Sequence, residues 1–544
     1  MRNGTSKFVL LAYLLLLTFT ASAQSSNDGS SYFYLAMLGI VGFLAMGVIL
    51  LLSDNLLRIK AKEMGVDGEG RNFSLFPSFS ELFQTAPPKY TKGANVTHLK
   101  KGYDIHLEGA AESIIDESVA VATFAVKPGN FVGMSPIPKI VAGEGTEVKA
   151  GDVLFFDKKR PEIKYVAPVS GEVLKVNRGA KRSIAEVVIL ADKEVEYREL
   201  PEFDLDACSR QELVDYLLDS GAWTMIRQRP YDIIADPVDV PKAIFVSTFD
   251  TAPLAPDLNV VVEGRGEAFQ RGLDALKKLT PGKVHLGLDA GSEESPSTVF
   301  TEAQGVELNW FNGPHPAGNV GVQIHHIDPI AATEKVWVLG VQEVITIGAI
   351  FSEGRFNAER VVALTGAELK EPRYVATFLG ANIENFVKDG LVQDHVRYVS
   401  GDVLSGSQIS SDGFLNYYDD QITVLEEGDT YELFGWLLPL SPRPSVSKTF
   451  PNGLFDMKFR ANTNTHGEKR AFVVTGQYES MLPMDIYPQH LIKSILVNDF
   501  ERMEGLGIYE LSEEDLALCE FACTSKQPLQ KILREGLEMM RDQG

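Results

Sequence analysis

The first sixty residues hold two uncharged apolar segments of different length, and they limit where the rest of the chain can fold. Phe8 to Phe19 is short, follows Arg2 and Lys7, and leads into Ala21-Ser22-Ala23-Gln24. A basic start, an apolar middle and small residues at a cleavage position make the pattern of a secretory signal peptide, residues 1–24. Tyr32 to Leu52 is longer and also uncharged. At 1.5 Å per residue it reaches roughly 30 Å, the hydrocarbon thickness of a bilayer. The expectation is a single transmembrane helix over residues 32–57; a hairpin of two membrane helices is the alternative. Arg58, Lys60 and Lys62 follow this segment closely, whereas residues 25–31 carry only Asp28. Cations are retained on the cytoplasmic side, so both readings leave everything after Leu57 in the cytoplasm.

The chain has 544 residues, enough for about three or four domains behind the anchor. A formal charge of −23 repels nucleic-acid phosphates and argues against nucleic acid as a partner. Three cysteines are too few for a disulfide framework, which points to a reducing compartment. Residues 58–96 read as a linker, punctuated by Gly65, Gly68, Gly70, Pro77, Pro87, Pro88 and Gly93, with a short helix over 79–85.

The body reads as an α+β multidomain assembly. Residues 97–200 alternate short apolar runs with Gly turns, as in a barrel-sandwich β domain. The run Ala167-Pro168-Val169-Ser170-Gly171-Glu172-Val173 resembles biotinyl and lipoyl carriers. The tip that would carry the modified lysine is Asp157-Lys158-Lys159-Arg160-Pro161, with Arg160 at the aligned position. Arginine cannot be acylated as an amine can, so the carrier reading survives only as an alternative. Residues 201–355 form a Rossmann-like α/β domain. Its expected helices span 204–220 and 267–279, and its expected strands 243–249, 258–262, 284–288, 336–339 and 344–347. Residues 356–435 suggest a compact β-grasp domain with one helix near 383–388 and further strand over 422–436. Residues 436–544 form a helical C-terminal tail, with helices over 491–498, 513–519 and 529–541.

Local motifs give little chemistry. Gly264-Arg265-Gly266 stands between an expected strand and a helix, where a phosphate loop belongs. The third glycine of that fingerprint falls at Phe269, whose ring obstructs close helix–strand approach. No Walker A sequence occurs. The loop Asn309 to Gly321 is dense in Gly, Pro and Asn and must hold a special shape. His325 and His326 follow on an expected strand, where neighbours point to opposite faces and cannot chelate one ion. Cys519 and Cys523 supply only half the ligands of an iron–sulfur or zinc site. These residues nominate no catalytic group and no metal site.

Residues from Lys100 onward resemble the A subunit of the Na+-translocating NADH:quinone oxidoreductase. The blocks that carry the resemblance include Lys100-Lys101-Gly102-Tyr103-Asp104, Phe131-Val132-Gly133-Met134, Asn177-Arg178-Gly179-Ala180-Lys181-Arg182 and Trp223-Thr224 with Arg229-Pro230. Others are Gly313-Pro314-His315-Pro316-Ala317-Gly318, Ser400-Gly401 with Leu404-Ser405-Gly406, and Asp515-Leu516-Ala517-Leu518-Cys519. The resemblance implies a member of a six-subunit respiratory pump in the bacterial inner membrane. That complex passes electrons from NADH through FMN, FAD, riboflavin and iron–sulfur centres to quinone, and moves Na+ outward. It also implies a scaffold shared with flavin-carrying subunits, whose flavin loop falls here at Gly221-Ala222-Trp223-Thr224-Met225. Trp223 and Met225 fill the space that glycines would leave open for a phosphate and a flavin ring. The expectation is a polypeptide that binds no cofactor, with the membrane subunits as partners. Members of the family typically begin near Lys100, so the signal and anchor are an addition.

If the chain contributes to a quinone pocket, an uncharged ring calls for stacking and apolar contact. Phe131, Met134, Trp223 and Tyr231 are the quinone-proximal candidates. A flavin-binding, NADH-oxidising role is the other functional alternative.

Overall fold

The computed structural model describes residues 30–63, 88–134, 137–388, 390–431, 434, 442–446 and 457–543. The expected signal peptide over 1–24 and the expected short helix over 79–85 fall outside these residues. The chain divides into two compact units, residues 1–86 and 87–544.

In the first unit, Ser30–Glu63 is one helix of 34 residues. Its apolar side chains are exposed, with Phe43, Met46 and Leu56 among the most open. Several of its side chains, those of 31–36 among them, lie outside the description. Among the described residues no helix is long and apolar enough to cross a membrane.

The second unit is built around three layers of sheet. The barrel-sandwich begins at Thr123–Val126 and pairs four strands in one sheet with three short strands, Lys139–Ile140, Val153–Phe156 and Lys164–Val166, in the other. Its long hairpin, Gly171–Arg178 with Ile184–Ala191, starts where Gly171 adopts φ of 144°. A Cβ at Gly171 would lie 2.0 Å from the Leu190 carbonyl oxygen, so the turn after Val169-Ser170 requires glycine. The two strands that precede this domain serve other sheets. Val96–His98 pairs with Glu307–Asn312, and Glu112–Asp116 with Arg373–Phe378.

The α/β layer is a seven-stranded sheet. Val96–His98, Glu307–Asn312, Lys283–Asp289, Ala243–Ser247 and Val336–Leu339 run parallel in that spatial order. Arg227–Arg229 and Ile233–Ile234 close one edge antiparallel. The helix before this sheet spans Arg210–Ser220, six residues later than the sequence suggests. Ser209 and Glu212 form a capping box there, while Asp204 folds a separate turn by accepting from the Asp206 amide.

Three apolar stretches expected as strands are helical. Leu258–Val262 is a short helix whose N-cap Asp257 accepts from the Asn259 amide. Residues 344–347 lie inside the helix Val341–Glu353, bounded by Gly340 and by Gly354 in the left-handed region. His325 and His326 lie on the helix Val320–Ile327. Residues 344–347 are buried throughout, and the other two runs are too short for a helical period to stand out in the sequence. The helices Gly266–Leu279 and Val341–Glu353 cross at contact distance. A Cβ at Gly348 would lie 1.8 Å from the Ala268 carbonyl oxygen, and one at Gly272 2.1 Å from that of Val344.

The third layer is a six-stranded mixed sheet running Ser407–Ile409, Val396–Ser400, Gln421–Glu426, Glu359–Thr365, Arg373–Phe378 and Glu112–Asp116. It has one short helix, Glu384–Val387. The strand expected over 422–436 ends at Glu426. The tail contains the expected helices as Pro488–Leu496, Glu513–Ala522 and Leu529–Gln543. They share a core of their own with Leu99, Ile105 and Leu107.

Candidate functional site

The parallel strands Ala243–Ser247 and Val336–Leu339 end at a cleft of about 470 Å³. In open α/β sheets, ligands bind at the carboxyl ends of the strands. Every layer of the second unit contributes to its walls. Asn130 and Val132 come from the barrel-sandwich, and Ser247, Phe249, Leu339 and Gly340 from the ends of the central strands. Asp402, Leu404 and Tyr418 come from the third sheet, and Glu514 and Arg534 from the tail.

Three helices of eight or more residues begin here, at Val320, Val341 and Glu513. Helix N-termini favour anions. This protein supplies the anions itself: Asp232, Asp250, Asp402, Asp419, Asp420, Glu513 and Glu514 line the cleft, against Arg227 and Arg534. Both arginines are engaged. Arg227 donates to Asp232 at 3.1 Å and lies 5.2 Å from the centre of the Tyr418 ring. Arg534 pairs with Glu513 and donates to the Tyr231 carbonyl at 2.7 Å.

Burial controls the protonation of this wall. It pushes the Asp250 carboxyl up, with Asp402 adding to the rise and His315 opposing it. It pushes Asp419 up as well. Asp420 is pushed up to about 7 by burial, against the pull of Arg360 and with the help of Glu343. Glu514 is likewise pushed up to about 7 by burial, against Arg229 and with the help of Asp515. His315 is held below its ordinary range by burial, although Asp250 and Asp402 face it. Its Nδ1 lies 3.1 Å from the Thr251 hydroxyl, and its backbone amide donates to Asp104 at 2.8 Å.

The four quinone-proximal candidates lie behind this cleft and do not line it. Phe131 is buried, its ring centre 4.5 Å from Tyr165, 4.8 Å from Tyr417 and 6.1 Å from Tyr418. Met134 packs half-buried on the same core. Trp223 is fully buried; its indole donates to the Ala235 carbonyl at 2.8 Å and its ring meets Trp337 edge-on. Tyr231 belongs to the other core and meets Tyr509 edge-on at 5.9 Å. Phe131 and Trp223 converge on one shell, because Tyr417 bonds the Thr224 hydroxyl at 2.9 Å and Tyr418 donates to the Thr224 carbonyl at 2.7 Å. Sequence reasoning passed over Arg227, Phe249, Asp250, Tyr418 and Asp420. Only the special shape of the loop around His315 signalled part of the cleft.

At the two loops where a flavin or nucleotide phosphate would be sought, protein side chains fill the space. The segment Ala222–Met225 is a buried 3-10 turn, and a Cβ at Gly221 would lie 2.5 Å from Val166 of the barrel-sandwich. At Gly264-Arg265-Gly266, Arg265 pairs with Glu359 at 2.9 Å and Phe269 packs edge-on against Phe300. A phosphate brought to the helix N-termini would face the carboxylates of the cleft. Among the described residues no group of three or more His, Cys, Asp or Glu side chains is arranged to hold a metal ion. His325 pairs with Glu510 at 2.6 Å and His326 bonds the Pro483 carbonyl at 2.8 Å, so both tie their helix to the tail. Cys519 and Cys523 are buried, and the Tyr478 hydroxyl donates to the Cys523 sulfur at 2.8 Å.

Barrel-sandwich, α/β layer, mixed sheet and helical tail define a mixed α/β multidomain protein. The chain belongs to the NqrA family, the A subunit of the Na(+)-translocating NADH-quinone reductase. Residues 97–192 match the NqrA N-terminal barrel-sandwich hybrid domain, 208–356 the NqrA second alpha/beta domain, and 361–411 the NQRA C-terminal domain. The A subunit from Yersinia pseudotuberculosis is 38% identical over 450 residues, covering 82% of this chain and 99% of that protein. Those of Shewanella frigidimarina and Neisseria meningitidis are each 39% identical, over 454 and 450 residues, with the same two coverages. Among solved structures, a chain of an NAD+-reducing [NiFe]-hydrogenase covers 64% of this chain and 72% of its own length at 11% identity. Its TM-score of 0.29 is too low to support an argument about fold.

Proposed function

We propose that this chain serves as the A subunit of a Na+-translocating NADH:quinone reductase, as a cofactor-free scaffold close to the quinone. The observation that carries the reading is the match to the A subunit over 99% of the relatives' length. The flavins and iron–sulfur centres then belong to other subunits, in keeping with the acidic cleft and the buried turn at Trp223. Anchoring through a transmembrane helix over 32–57, with the body on the cytoplasmic side of the inner membrane, is supported by the exposed apolar side chains of Ser30–Glu63 and by Arg58, Lys60 and Lys62 behind them.

The cleft suits an uncharged quinone head better than an anion. Phe249, Leu404 and the Tyr418 ring offer apolar contact, and Arg227 and Asn130 offer donors. Phe131, Met134, Trp223 and Tyr231 then act by holding this wall in place. Leu404→Trp in the assembled complex tests the site: the quinone KM rises about tenfold while NADH oxidation by an artificial acceptor is unchanged. Wild-type quinone kinetics would leave the chain a scaffold only. Purified membranes lacking the chain should lose Na+-dependent quinone reduction and regain it on re-expression.

A further inference from the structure

The hairpin tip of the barrel-sandwich departs from the character of the rest of the chain. Lys175, Arg178, Lys181 and Arg182 fall within eight residues and are all exposed, on a protein of net charge −23. Among the described residues none of the four forms an ion pair; Arg178 reaches only the Arg182 carbonyl, at 3.5 Å. The nearby carboxylates are engaged by neutral donors. Asn177 donates to Glu186 at 2.6 Å, and the Val176 amide to Glu144 at 2.9 Å.

The tip is also built to a fixed shape. The Gly179 amide donates to the Ser183 carbonyl, and the Ser183 hydroxyl to the Ala180 carbonyl, each at 2.9 Å. Lys181 and Arg182 hold φ of 54° and 65°, a left-handed conformation that glycine adopts more readily. Two long cations therefore occupy positions where the backbone alone would favour small residues.

We infer that this hairpin tip is a docking finger for the anionic headgroups of a phospholipid bilayer. The inference rests on the membrane-anchored reading given above. Twenty-four residues, 64–87, join the apolar helix to the described body. A chain of that length spans at most about 80 Å, so an anchored body stays at high effective concentration over the same membrane. An acidic body is repelled by anionic lipid, and the cationic tip is the part that attraction can select. Each cation near such a surface strengthens partition by about fivefold. The attraction fades over about 8 Å at physiological salt, which confines the contact to the tip.

The test places a fluorescent donor on the tip of the full chain by Ala180→Cys in a Cys208→Ser background, since Cys519 and Cys523 are buried. The chain is reconstituted into phosphatidylcholine vesicles, with or without about 30% phosphatidylglycerol to supply the negative surface, carrying an acceptor on the lipid headgroups. Energy transfer should be high only with phosphatidylglycerol. It should fall to the neutral-lipid level in about 0.5 M NaCl, and in the triple variant Arg178→Gln, Lys181→Gln, Arg182→Gln, which loses on the order of a hundredfold in partition. Equal transfer in both lipids, or an unchanged triple variant, overturns the finger while leaving the anchor intact. A chain that floats with neither vesicle overturns the anchor and the finger together. A tip indifferent to lipid whose triple variant fails to retain the other subunits marks an acidic protein surface as the partner, and likewise overturns the proposal.

Discussion

Two fully buried arginines join layers of the second unit, and each lies beside a carboxylate that lines the cleft, Glu514 for Arg229 and Asp420 for Arg360. Arg229 joins the α/β sheet to the tail, donating to Asp515 at 3.0 Å and to Glu514 at 2.6 Å. Arg360 joins the third sheet to the helix Val341–Glu353 by pairing with Glu343, while Asp420 stays 3.8 Å away. Each site has one guanidinium and two carboxylates. At Arg229 both carboxylates close to bonding distance, and Asp515 is held further by the Ser512 amide and hydroxyl at 2.9 and 3.1 Å. At Arg360 the second carboxylate remains outside hydrogen-bonding range, and Asp420 Oδ1 has no hydrogen-bond partner among the described residues. Arg229 Nε and Asp515 Oδ1 also lack partners among the described residues, so the two sites differ in how many carboxylates the guanidinium reaches: two at Arg229, the clamp, and one at Arg360. Each added pairing matters for buried ions, because desolvation offsets most of the attraction between charges.

The clamp can be broken directly. Arg229→Met leaves Asp515 buried without its counter-ion and should cost about 3–5 kcal/mol. Urea unfolding followed by tryptophan fluorescence would record the loss. Arg229→Met combined with Asp515→Leu should recover much of it, since an apolar pair of similar volume has no buried charge to satisfy. A single variant within about 1 kcal/mol of wild type would show that the tail is held by its apolar core and that the clamp is incidental.

The incomplete site should appear as a pH dependence. Asp420 has a folded pKa of about 7, raised from the ordinary carboxylate value. Between those values the folded state binds more protons than the unfolded state, so stability falls as pH rises. The wild type should lose about 2–4 kcal/mol through this group between about pH 5 and pH 8. Asp420→Asn should be neutral at the acid end and stabilising at the alkaline end, flattening that part of the profile. An Asn variant with the wild-type slope would mean that Asp420 is ionised throughout and that Arg360 serves both carboxylates.

Neither site was legible in the sequence, although much of their framework was. The helix 266–279 carries a clear helical period, and the strands 243–247, 283–289 and 336–339 are short, largely apolar runs rich in β-branched and aromatic residues. The run 344–347 is buried throughout, which erases the polar face that would have marked it as a helix, and 258–262 and 320–327 are too short for a helical period to stand out. Trp223 is a quinone-proximal candidate in the sequence because it is an aromatic residue in a loop that follows a glycine, and the fold buries it completely. That glycine, Gly221, lets the turn pack against Val166, which buries the indole. The cleft depends on contacts such as Arg229 with Asp515, 286 residues apart, and His315 with Asp104, 211 apart. No local spacing encodes these contacts, and only the register of the folded sheets brings the residues together.

The smallest effect separates the two carboxylates of the clamp. Glu514 bonds Arg229, yet its side chain remains 34% exposed, whereas that of Asp515 is fully buried. Burial beside Asp515 pushes Glu514 up to about 7, so it too favours a proton in the folded state. Glu514→Gln keeps an oxygen that accepts from Arg229 and removes the charge. It should be neutral at about pH 5 and, with solvent screening at the exposed face, stabilising by about 0.5–1 kcal/mol at about pH 8. Denaturant midpoints at the two pH values are enough to measure this. A loss above about 2 kcal/mol at the alkaline pH would make Glu514 an ionic partner equal to Asp515. The clamp would then need both of its charges, and the contrast with Arg360 would lie in the number of carboxylates engaged rather than in how far one of them is buried.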